Sequence, residues 1–108
     1  MRSRPVRTKR KRIPEGCKLP VLLGTKEVSD IRERTFVSPG LLIGGIVQPN
    51  GSLRFDWSLG DIEEIQGHVA ASANHTDDPK LGKRLDRIYS KLQRFLDSYD
   101  DSGPSDRE

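Results

Sequence analysis

The sequence has a single cysteine, Cys17, in 108 residues, so it can form no intramolecular disulfide. Small domains in oxidising compartments usually carry several such links, and the expectation is a reducing, intracellular location. Long apolar runs are missing as well. The longest, Leu41 to Val47, has seven residues, whereas a helix crossing a bilayer needs about 20. The charged N-terminus is not followed by the apolar core of a signal peptide, so the chain reads as soluble and unexported, without a membrane partner. Aromatic residues make up only 6% of the chain and the apolar set only 32%, which limits any core to a small one.

Catalytic and cofactor signatures are also lacking. There is no GxxxxGK[ST], GxSxG, HExxH or CxxC, and Gly24-Thr25-Lys26 lacks the glycine loop that would make it a phosphate cradle. RNA-recognition, KH and zinc-finger patterns are absent too. One chain of this size has little volume for a closed pocket. The expectation is therefore a non-enzymatic protein without a cofactor, a bound metal or a small-molecule substrate. Glu64, His68 and His75 would align on one helix face if that helix ran far enough, but their spacing is not a metal signature.

Charge is plentiful and unevenly placed. Residues 2–12 hold seven Lys or Arg and no acid, while residues 13–108 hold twelve bases and sixteen acids, so the formal +3 is a +7 segment attached to a body of −4. With Pro5, Pro14 and Gly16 among mutually repelling cations, residues 1–18 read as a disordered basic tail. At the other end, 100–108 (DDSGPSDRE) reads as a disordered acidic tail. Between them, 19–99 forms one small domain.

The first part of that domain is the least legible. LPVLL at 19–23 suits a buried strand, and KEVSDIRER allows either a short helix or an irregular connection. The stretch 41–57 reads as a β-hairpin: an apolar run, the turn Gln48-Pro49-Asn50-Gly51, then Leu53, Phe55 and Trp57 alternating with Ser52, Arg54 and Asp56. Gly44 and Gly45 imply a bulge or the close approach of a helix or a ligand, with helix packing the expected cause.

From Ser58 onward the pattern is helical. Ser58 and Asp61 have capping-box spacing, and Ile62, Ile65, Val69 and Ala73 recur at helical intervals. Asn74 suits a left-handed helix end, and Asp78-Pro79 suits the start of the next helix. The predicted fold is α+β, with a small antiparallel sheet (hairpin about 41–57) packed on an antiparallel helical hairpin (about 59–99).

The second helix carries two stripes. Leu81, Leu85, Ile88, Tyr89, Leu92, Phe95, Leu96 and Tyr99 occupy an arc of about 120°. Lys80, Lys83, Arg84, Arg87, Lys91 and Arg94 occupy a neighbouring arc of about 100°. Cations at this spacing can follow a line of phosphates. They can also be an ordinary solvated face, with Lys91 and Arg94 paired to Glu63 and Glu64. The run Arg7, Lys9, Arg10, Lys11 and Arg12 is a second source of positive charge suited to polyphosphate capture. In a eukaryote it would serve for nuclear import; otherwise the expectation is cytoplasmic.

Two functions follow from the residues. The first is nucleic-acid association, DNA or RNA, through Arg7–Arg12 and the basic stripe. The second is a protein-interaction or adaptor module docking through the helical hairpin, with homodimerisation through an exposed apolar edge.

Overall fold

A computed structural model of the chain describes residues 11–101. Leu19–Leu23 forms a strand (β2) because Leu19, Val21 and Leu23 alternate inward while Pro20 and Leu22 face out. Its partner is Leu53–Trp57 (β4), in antiparallel register with Leu19 opposite Trp57 and Leu23 opposite Leu53. The third strand, Ile46–Val47 (β3), pairs antiparallel with β4 on its other side, which gives the order β2-β4-β3. Thus β4 lies in the centre, where its Phe55 and Trp57 rings stack with centroids 4.9 Å apart.

The predicted strand from Leu41 starts later than expected. Pro39–Leu42 is a short 3-10 turn, since Pro39 occupies its first position and supplies the matching φ. Strand pairing begins only at Ile46. The two glycines have different reasons, neither of them a helix: a Cβ on Gly45 would lie 2.8 Å from the Phe55 ring, and Gly44 takes a positive φ of 87°. In the turn, the Gly51 N–H donates to the Gln48 carbonyl, and only Gly51 takes positive φ. Pro49 sets the turn, and Asn50 instead uses its side chain, accepting from the Ser52 N–H at 3.0 Å.

Thr25–Arg34 is helical (α1), which resolves the segment that periodicity left open. Glu27 lies three residues after Gly24 and accepts its N–H at 2.8 Å, while Val28 and Ile31 turn inward. The helical half follows its caps closely. In Leu59–His75 (α2), Ser58 Oγ accepts the Asp61 N–H and Asp61 accepts the Ser58 N–H, each at 3.1 Å. Asn74 does not take the left-handed conformation expected of it; α2 runs through His75 and ends at Thr76, whose N–H donates to the Ser72 carbonyl. Asp78 then accepts from the Lys80 and Leu81 N–H groups, opening Pro79–Ser98 (α3) with proline in the first turn.

The fold is α+β: the described residues form three α-helices, a three-stranded antiparallel sheet and a separate parallel pair. That pair joins Lys11–Arg12 (β1) to Tyr99–Asp100 (β5), and the Ile13 N–H adds a bond to the Asp100 carbonyl at 2.9 Å. Residues that read as the ends of two tails thus hold one another.

A single apolar cluster draws on every major element. Ile31 of α1, Val21 and Leu23 of β2, Ile62, Ile65 and Val69 of α2, and Leu85, Ile88 and Leu92 of α3 are all fully buried. Gln66 is the one buried polar residue of α2 and α3 among the described residues. Its Nε2 donates to Gln93 Oε1 at 2.7 Å, so its burial leaves this amide satisfied. No helix among the described residues is long and apolar enough to cross a membrane.

Candidate functional site

Helix α3 presents its cations over about 21 Å from Lys80 to Arg94. The structure divides them into two groups. Arg84 reaches α1, where its Nε and Nη2 donate to the two carboxylate oxygens of Asp30 at 2.8 and 3.3 Å. Asp30 is only 3% exposed, and its hydrogen bonds raise the Arg84 guanidinium above its ordinary value against the opposing effect of burial. Lys91 Nζ donates to Glu27 Oε1 at 2.6 Å and to the Leu22 carbonyl at 3.4 Å. It thereby covers a backbone acceptor on the outer strand β2 as well as pairing α3 to α1.

Lys80, Lys83, Arg87 and Arg94 are exposed and make no ion pair among the described residues. On the helical projection these four fall within about 60°, with Arg84 and Lys91 at the edge of the arc closest to Phe95. The expected neighbours of Lys91 and Arg94 were Glu63 and Glu64 of α2. Glu27 of α1 takes Lys91 instead, because α1 lies along the basic flank of α3 while α2 lies along the flank bearing Gln93.

Other acids are occupied elsewhere. Asp61 pairs with Lys18 at 3.3 Å and Asp56 with Arg54 at 3.5 Å. Burial pushes the Asp61 carboxyl up, but the hydrogen bonds from Ser58 and Lys18 outweigh it and hold the group below its ordinary range. Arg54 Nε is buried without a hydrogen bond of good geometry, so its link to Asp56 is one of charge proximity alone.

Of the tail cations, Lys11 and Arg12 are exposed and lie in β1 beside the end of α3. Arg7, Lys9 and Arg10 fall outside the described residues. Lys11 and Arg12 thus lie at the Arg94 end of the α3 stripe.

Two recesses lie near the two ends of α3. One, of about 460 Å³, opens between the ends of α1 and α2 and is lined by Arg34, Phe36, Ser72, His75 and Leu81 among others. The second, of about 370 Å³, is formed by Lys91, Arg94, Phe95, Ser98 and Tyr99. Its aromatic walls escaped the sequence reading because periodicity sends positions 95 and 99 inward. Both are in fact half-buried, packing on the core cluster while part of each ring remains accessible. For Phe95 the signal was its place at the border of the apolar and basic arcs; Tyr99 projects inside the apolar arc and gave none.

Elsewhere, Phe36 is 89% exposed, and Ile43 and Val47 are exposed near the outer strand β3. No cluster of three or more His, Cys, Asp or Glu among the described residues is disposed to hold a metal ion. Cys17 has a half-buried side chain and a weak contact to the Lys18 carbonyl. The chain matches no family model, no curated protein and no solved structure.

Proposed function

We propose that this chain is a small, non-enzymatic, intracellular nucleic-acid-associated protein that grips the phosphate backbone with its basic N-terminal segment and the basic face of α3. The observation that carries this reading is the exposed row Lys80, Lys83, Arg87 and Arg94, which has no acidic partner among the described residues. Like charges three and four residues apart on a helix cost about 0.2–0.5 kcal/mol per pair. Such a row is relieved when phosphates replace small counterions.

Pairing of β1 with β5 supports the same reading. It brings Lys11 beside Tyr99, at the Arg94 end of the row. Four acids of the body, Asp30, Glu27, Asp61 and Asp56, are engaged in pairs away from the row. The sheet resting on the helical hairpin would serve as the rigid support for α3.

The test is affinity for RNA and DNA across salt, using the full chain, a chain lacking residues 1–12, and that shorter chain with Lys80, Lys83, Arg87 and Arg94 changed to Glu. A steep salt dependence that falls stepwise through the three proteins is expected. Unchanged affinity in the last would end the proposal.

The adaptor reading is favoured by a different observation: the recess between α1 and α2, with Phe36 exposed at its edge. A stoichiometric protein partner that survives nuclease treatment and is lost in Phe36→Ser would favour it over nucleic-acid binding.

A further inference from the structure

We infer that the recess at the C-terminal end of α3 receives an unpaired nucleobase, which makes the preferred ligand a single strand and not a duplex. This rests on the nucleic-acid reading above and specifies its ligand. Three features meet in this recess: the half-buried rings of Phe95 and Tyr99, the exposed Arg94 on its rim, and a volume of about 370 Å³. Small-ligand sites begin at about 300 Å³, so the space suits a single base and not a base pair with its sugars.

The chemistry is that of stacking. A duplex hides the faces of its bases and offers only their edges, whereas a single strand can turn a base onto an aromatic ring. Phe95 in the last turn of α3 and Tyr99 at the start of β5 line the same recess where the helix passes into the strand. The core packing of both residues holds the rings in place, so little ordering is needed when a base arrives.

Phosphate placement follows from what each cation already does. Lys91 is occupied by Glu27 and the Leu22 carbonyl. Arg94 has no such partner among the described residues and takes the phosphate adjoining the stacked base. The carbonyls ending α3 disfavour an anion at the helix terminus itself; Arg94 sits one turn back, and Lys11 of β1 adds positive charge at that end. From Arg94 the strand continues along Arg87, Lys83 and Lys80.

The experiment uses the full chain with RNA and DNA strands of one sequence, each carrying one fluorescent aminopurine, alone or annealed to a complement. Binding is measured by anisotropy and stacking by aminopurine quenching. The wild-type protein should quench single strands of either sugar and bind them more tightly than duplex at equal salt, since base and phosphate are common to both. Phe95→Leu with Tyr99→Leu should abolish quenching and weaken single-strand binding about five-fold or more, the loss of one stacked base, with duplex affinity unchanged.

Ser98→Glu places an anion at the recess from an exposed position and should reproduce the single-strand loss even if the double variant folds poorly. Duplex and single strands bound equally without quenching, or a single-strand preference intact in Ser98→Glu, would overturn the base recess while leaving phosphate binding in place. Absence of binding to any nucleic acid at low salt would overturn both.

Discussion

Replacing Lys80, Lys83, Arg87 and Arg94 together by glutamine separates phosphate binding from stability in a single protein. Each phosphate contact to a single strand contributes about 0.7 to the slope of log affinity against log salt, so four contacts contribute about 2.8. Between about 50 and 200 mM salt, the wild-type protein should therefore lose about fifty-fold more affinity than the variant. The fold should not suffer, because none of the four side chains makes an ion pair among the described residues. Removing their like-charge contacts should leave the thermal midpoint unchanged or slightly raised. Arg84→Gln provides the contrast. It leaves the buried Asp30 carboxylate with only Lys26, 3.9 Å away, and should lower the midpoint. Fluorescence anisotropy titrations at several salt concentrations give the slope, and thermal circular dichroism gives the midpoint. An unchanged slope in the fourfold variant would refute the phosphate track on α3. A fall in its midpoint matching that of Arg84→Gln would refute the division of the stripe into structural and free cations.

Gly45→Ala should destabilise by about 1–3 kcal/mol in chemical denaturation, because the added methyl lies 2.8 Å from Phe55, whose ring is held against Trp57. Gly67→Ala should stabilise by about 0.5–1 kcal/mol, since its added methyl meets nothing within 4 Å on an exposed part of α2. Ser58→Ala should cost about 1 kcal/mol through the lost cap of α2. Asp61→Asn should lower the thermal midpoint near neutral pH; because the folded carboxyl titrates below the ordinary aspartate value of about 3.9, the wild-type margin is complete above that pH and disappears as acid protonates the folded form.

The helical half was legible because its signals are local and redundant. Ser58, Asp61, Asp78 and Pro79 each form the cap their spacing implies, and the apolar stripe of α3 supplies the buried Leu81, Leu85, Ile88 and Leu92. The first half depends on partners distant in sequence. Nothing within LPVLL distinguishes strand from buried helix; its register against Phe55 and Trp57 decides the matter. The apolar run from Leu41 was too uniform to show that Pro39 would wind its beginning into a 3-10 turn. The basic stripe was visible, but a helical projection gives the direction of a side chain and not the element it meets. Glu27 and Asp30 lay in the one segment whose structure was undecided, so their claim on Lys91 and Arg84 could not be read.

That division also explains how an acidic body and a basic surface coexist in one small domain. The cations bordering the apolar arc, Arg84 and Lys91, are spent on fastening α3 to α1, and they take up the two α1 carboxylates that face them. What remains on the outer part of the arc is a line of positive charge that makes no ion pair among the described residues, with the exposed Asp86 beside it. At physiological salt, charges more than about 8 Å away are largely screened, so a bound strand responds to this local line and to the adjoining β1 segment more than to the net charge of the body. The isoelectric point near 9.2 reflects mainly residues 2–12, yet the geometry gives α3 a basic surface of its own. For the same reason, adding an acid far from α3 should change nucleic-acid affinity little, whereas Asp86→Lys, beside the row, should strengthen it and steepen its salt dependence.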